Sequence, residues 1–115
     1  MPMTKKGERW VSYENTLPQN VAEGVTRRVL AYNDGLMCVE NKFEKGAIGS
    51  LHSHPHTQIT YIVSGVFSFT IDGETRVVKK GDTLLKEDGV IHGCVCEEEG
   101  ILLDIFNPMR EDFVL

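Results

Sequence analysis

Residues 46–65 read GAIGSLHSHPHTQITYIVSG. Inside this stretch His52, His54, His56 and Gln58 fall at every second position, so one straight strand would turn all four to the same face. Reach decides how many of them can share an ion. A strand rises about 3.3 Å per residue, which puts the Cα atoms of His52 and His54 about 6.6 Å apart, and a histidine reaches roughly 6 Å from Cα to a metal. Those two converge. From His54 to Gln58 the extended span is about 13 Å, more than two side chains at right angles around one ion comfortably bridge. Either Gln58 is no ligand or the chain bends before it. Pro55 lacks the N–H of a ladder residue and favours the bend. Adjacent strands lie only about 4.8 Å apart, so Gln58 at the start of the next strand would return to the ion. His56 then sits in the bend, off the metal face.

Outward from this stretch the same texture continues. Short strand-like runs cover 26–31, 36–43, 58–63, 66–71, 75–80, 83–86, 91–96 and 101–106. Asn33-Asp34-Gly35, Ser64-Gly65, Asp72-Gly73 and Gly81-Asp82 read as the turns between them. No window of helical length carries a 3.6-residue period. Many short strands at regular spacing predict an all-β sandwich or barrel. Residues 1–24, with Pro18, Gly24 and scattered polar residues around Trp10, read as an N-terminal arm with at most one short strand; residues 25–115 read as the domain.

The totals narrow the class. A chain of 115 residues suits one domain with a real core. A net charge of −5 argues against a nucleic-acid surface, which needs clustered Lys and Arg. No apolar run approaches the roughly 18 residues of a membrane span. Three cysteines, Cys38, Cys94 and Cys96, in no disulfide-scaffold spacing predict reduced thiols and a cytoplasmic location.

The spacing Gly46-x5-His52-x-His54-x3-Gln58-x6-Gly65 is similar to the first motif of the cupin family, with Gln58 where cupins usually carry Glu. The spacing Gly81-x5-Glu87-x-Gly89-x2-His92-x3-Cys96 resembles the second, with Glu87 in place of Pro and Cys96 in place of Asn. The resemblance implies a double-stranded β-helix, the jelly-roll barrel. It also implies that His52, His54, Gln58 and His92 hold one divalent transition metal such as Zn, Ni, Fe or Mn. Three neutral imidazoles and a neutral amide would leave the ion its full double charge, which invites an anionic ligand. The same donor set disfavours the iron oxygenases built on two histidines and a carboxylate.

A second group of residues lies at 101–113, ILLDIFNPMREDF. Leu102, Asp104 and Phe106 share one face of a strand, and a buried carboxylate in such a run must be paired, hydrogen-bonded or functional. Arg110, beyond Pro108, is placed to fold back as a bidentate carboxylate clamp. Together with the Gln at position 58, this segment resembles the KdgF group of small cupins. That resemblance implies opening of 4,5-unsaturated monouronates from pectin or alginate breakdown to the linear 5-keto-4-deoxyuronate, with Asp104, Phe106 and Arg110 as the catalytic residues. The implied partner is a small anionic sugar, and exposed edge strands predict a homodimer. The competing readings are a non-catalytic cupin that senses a small acid or sugar, and another metal-dependent cupin enzyme, an isomerase or a dioxygenase.

Overall fold

The computed structural model describes residues 4–114. Among them are eight strands: β1 (Gln19–Ala22), β2 (Val25–Tyr32), β3 (Met37–Phe43), β4 (Ile48–His52), β5 (Thr57–Ile71), β6 (Glu74–Lys79), β7 (Thr83–Lys86) and β8 (His92–Asn107). The only helical pieces there are single 3-10 turns at Tyr13–Asn15 and Glu111–Phe113. All pairings are antiparallel, in the order β1-β2-β3-β8-β5-β6, with β4 also on β8 and β7 also on β5.

The two long strands make this a two-layered barrel. β5 and β8 pair along their whole length, from Thr57 opposite Asn107 to Ile71 opposite His92. Around the first half of β5 the neighbours are β7 and, across β8, β3 and β2; around the second half they are β6 and, across β8, β4. Each long strand therefore begins in one sheet and ends in the other. This is the all-β, double-stranded β-helix of a jelly roll.

The expected runs 58–63 and 66–71 are one strand, β5, and 91–96 and 101–106 are one strand, β8, while β4 is a strand beyond the expected set. The structure replaces the expected Ser64-Gly65 turn by bulges within a continuous strand, with register shifts between Ile62 and Phe67. The physical reason is close approach. Gly65 adopts φ 84°, and a Cβ there would lie 2.5 Å from the Gly100 Cα and 2.7 Å from the Glu98 carbonyl oxygen. A positive-φ glycine serves a bulge as well as a turn, and sequence alone does not separate them. The bulge also flips the inward parity of β5. Gln58, Thr60 and Ile62 face inward before it, and Phe67 and Phe69 after it. Asp72-Gly73 is a true two-residue hairpin, with φ 49° and 80°.

Two apolar clusters fill the barrel. One gathers Phe43, Ile62, Phe67, Phe69, Cys94, Cys96 and Leu102, and the other Val29, Met37, Val39 and Phe106. The N-terminal residues lie along the second: Thr4 donates to the Val29 carbonyl at 2.8 Å and Gly7 N–H to Tyr32 at 2.9 Å. Within residues 1–24, β1 pairs with β2, and Trp10 is 91% exposed, so its ring does not cover the barrel mouth.

Candidate metal centre and substrate cavity

His52 ends β4 and His92 begins β8, and the two are direct cross-strand partners with ring centroids 4.5 Å apart. The chain then leaves the sheet. Residues 53–56 form a bend around Pro55, closed by the His56 N–H on the His54 carbonyl at 2.8 Å. β5 brings Gln58 back, so that its Oε1 lies 3.1 Å from His54 Nε2. The bend expected at Pro55 is present, and Gln58 does return beside His54. His52, His54 and His92 offer donor atoms that all lie within 4.8 Å of one another. His56 stands outside this group, with Nε2 against the Met109 carbonyl at 3.2 Å.

The chemistry of these residues fits a metal ion. His52 Nδ1 lies 2.7 Å from the Ser50 carbonyl and His92 Nδ1 lies 3.0 Å from that of Val90. A carbonyl only accepts, so each Nδ1 carries the proton and each Nε2 keeps a free lone pair. Burial, then the Arg110 charge, lowers the His54 pKa to about 4. Burial, then Lys86, lowers that of His92 to about 4. Both rings are neutral at pH 7, as ligands must be. Two donors at right angles on bonds of about 2.1 Å would lie about 3 Å apart, close to the His54–Gln58 separation of 3.1 Å.

Beside the histidines a polar belt crosses the barrel interior. Thr60 sits opposite Asp104, and Gln58 opposite both Phe106 and Lys86. The Asp104 carboxylate accepts from Asn41 Nδ2 at 2.7 Å, Gln58 Nε2 at 2.8 Å and Thr60 Oγ1 at 2.5 Å. Lys86 Nζ donates to Thr60 Oγ1 at 2.8 Å and lies 4.4 Å from the Phe69 ring centroid. Gln58, Thr60, Lys86 and Asp104 are all buried. Burial lowers the Lys86 pKa, against the pull of Asp104. The Gln58 amide is thus two-ended: its oxygen faces His54 and its N–H groups face Asp104, an orientation fixed by these partners.

Phe106 stacks edge-on against His54 at 5.7 Å, and the Arg110 guanidinium lies 5.3 Å from the Phe106 ring. Arg110 donates through Nε and Nη2 to the Asp112 carboxylate, at 3.1 and 2.9 Å. His52, Gln58, His92, Asp104, Phe106 and Arg110 all line one cavity of about 280 Å³. A larger groove of about 940 Å³ runs over the β6–β7 surface and carries none of the histidines. Cys94 and Cys96 share the inner face with His92, as strand parity predicts. Burial pushes the Cys94 thiol up to about 11, which keeps it protonated.

Sequence reasoning missed four residues of this interior: Arg27, Asn41, Thr60 and Lys86. The signal for the first three was parity. Each sits between or beside buried apolar residues two positions away, as in Val25-x-Arg27-x-Val29, Val39-x-Asn41-x-Phe43 and Thr60-x-Ile62. Lys86, at the end of TLLK, carried no such signal.

Comparison with known proteins agrees with this arrangement. Residues 39–106 match the cupin domain family. The pectin degradation protein KdgF of Dickeya dadantii is 39% identical over 108 residues, covering 92% of this chain and 98% of that protein. The crystal structure of an RmlC-like cupin from Shewanella frigidimarina superposes with a TM-score of 0.91 at 39% identity, over 96% of this chain and 99% of the other. The structure of KdgF from a Halomonas species gives 0.87 at 33% identity, over 92% and 98%.

Proposed function

We propose, from the premise that this chain belongs to the cupin domain family and within it to the KdgF group, that it is a metal-dependent enzyme of pectin or alginate breakdown. Its reaction is the ring opening of 4,5-unsaturated monouronates to linear 5-keto-4-deoxyuronate. The observation that carries the reading is one cavity lined by His52, His92, Gln58 and Asp104, with His54 completing the histidine group beside it. His52, His54, His92 and Gln58 would hold the ion, of the Zn, Ni, Fe or Mn kind. When bound, a divalent cation supplies positive charge for an acidic sugar and for the oxygen that gains charge as the ring opens.

The chain's own residues do the rest. The substrate's ring oxygen is at once a hemiacetal oxygen on C1 and an enol-ether oxygen on C5. Opening removes the C1 hydroxyl proton, breaks the bond from C1 to the ring oxygen and adds a proton at C4. Asp104 carries that proton, held in place by Asn41, Gln58 and Thr60. Arg110 binds the carboxylate and Phe106 packs against the sugar ring.

The test mixes the metal-loaded protein with unsaturated galacturonate and follows loss of its ultraviolet absorbance, with and without chelator. Metal-dependent acceleration that Asp104→Asn abolishes is expected. No acceleration over spontaneous opening overturns the reading; ligand-induced stabilisation without product would favour a sensor, and oxygen uptake a dioxygenase.

A homodimer and a cytoplasmic location belong to the same proposal. The outer faces of β5 and β7 leave Ile59, Tyr61, Val63 and Leu85 open to solvent as one apolar surface, which a second copy would cover. The three thiols are free. Sedimentation as a monomer at micromolar concentration would refute the dimer. No helix among the described residues is long and apolar enough to cross a membrane.

A further inference from the structure

The cavity wall carries a second guanidinium that the site described so far does not use. β2 alternates Val25, Arg27 and Val29, and the two valines are buried at 6% and 3%, so Arg27 shares their inward face. It stands directly opposite Asn41, whose amide donates to Asp104, and it lines the same cavity as the histidines. Its guanidinium lies 3.7 Å from the centroid of the Phe113 ring. The Arg110 guanidinium lies 4.3 Å from that same centroid.

The two arginines differ in what they hold. Arg110 grips Asp112 through Nε and Nη2. Arg27 Nε is buried and has no hydrogen-bond partner among the described residues. Two cations thus flank Phe113, and only Arg110 holds a carboxylate, that of Asp112, whose side chain is 60% exposed and free to turn to water. A buried N–H without an acceptor is costly, and because Arg27 lines the cavity an acceptor entering there would meet its guanidinium. A guanidinium selects a carboxylate for that place, because its planar fork matches two oxygens.

We infer that Arg27 and Arg110 together form the subsite for the substrate's carboxylate, with Arg27 as a binding residue that fixes preference for acidic over neutral sugars. The inference rests on the uronate reading of the cavity and adds the second arm of its carboxylate clamp. Phe113 sets the spacing of the two forks, and the substrate carboxylate takes the place that Asp112 holds on Arg110. Burial lowers the Arg27 pKa, yet a guanidinium remains charged at neutral pH.

The test compares wild type, Arg27→Met and Arg27→Lys as metal-loaded proteins, with matched metal content and ligand-free melting temperature as the control for folding. For unsaturated galacturonate, Arg27→Met raises KM by roughly 10- to 100-fold, with the loss falling mainly on KM, as removal of one hydrogen bond to a charged group implies. Arg27→Lys, which keeps the charge and loses the fork, falls between. A second measurement needs no turnover: thermal stabilisation by saturated galacturonate against galactose. Wild type discriminates between these sugars, and Arg27→Met loses the discrimination. An unchanged KM, or equal discrimination in Arg27→Met, overturns the inference. If wild type fails to open the unsaturated sugar, the uronate-opening reading falls while the galacturonate–galactose comparison still decides Arg27.

Discussion

Replacing Gln58 by Glu tests why an amide stands where most cupins carry a carboxylate. The Gln58→Glu change puts a carboxyl oxygen where an N–H now donates to Asp104 at 2.8 Å. Two unit charges at that distance repel by about 6 kcal/mol at an effective dielectric of about 20. Protonating a glutamate of ordinary pKa near 4.3 at pH 7 costs about 3.7 kcal/mol. The proton is the cheaper route, so the folded metal-free variant takes one up, and its destabilisation is capped at about 4 kcal/mol. For a domain of this size that lowers the melting temperature by up to roughly 17 °C. The new carboxyl has a folded pKa above its unfolded value, so the penalty grows as pH rises from about 4 and vanishes below it. Wild type and variant melted in chelator at pH 7 and pH 4.5 read this directly: well separated at 7, convergent at 4.5. A bound divalent cation narrows the gap at pH 7 by offsetting the added charge. Identical melting temperatures at pH 7 in chelator would show that the Gln58 amide does not face Asp104.

Three further outcomes follow from the same geometry. Gly65→Ala forces a Cβ to 2.5 Å from the Gly100 Cα at φ 84° and should cost about 3 kcal/mol or more, whereas Gly46→Ala, at φ 86° with open space around it, should cost about 1 kcal/mol. Equal denaturation midpoints for the two variants would contradict the strand crossing. In the metal-free protein, His54 and His92 are held at about 4 against an ordinary 6.5, so between those pH values the unfolded chain binds protons that the folded chain refuses. Stability should fall as pH drops through that window; imidazole C2–H resonances of these two residues titrating near 6.5 would refute it. Burial raises all three thiols, Cys94 to about 11, so iodoacetamide at pH 8 should leave Cys94 unmodified in the native protein by mass spectrometry, and rapid alkylation there would be the contrary result.

What the sequence revealed depended on whether a residue's role was local. The histidine pair, the bend at Pro55 and the return to Gln58 are separated by a few residues, and reach along the chain is enough to argue them. His92 became legible through spacing within a second glycine-framed segment. Asp104 was visible as a carboxylate among apolar neighbours of its own strand. Its three donors come from three positions on two other strands, joined by registers that sequence does not display. The bulge at Gly65 shows the opposite failure: a local signal read correctly as a positive-φ glycine, whose meaning depended on a glycine 35 positions away (100 against 65). Lys86 lies beyond local reasoning, because only the register that sets β7 against Gln58 turns it inward.

His52 and His92 each tie Nδ1 to the carbonyl two residues upstream, Ser50 and Val90. The anchor of each ring is therefore its own stretch of main chain, and the side chains that shape the cavity take no part in it. Arg27, Asn41, Phe106 and Phe113 can be exchanged without releasing either ring from its tether. Such a barrel is open to drift in what it accepts while His52 and His92 keep their orientation. A library randomised at those four wall positions should retain metal binding far more often than it retains any one substrate.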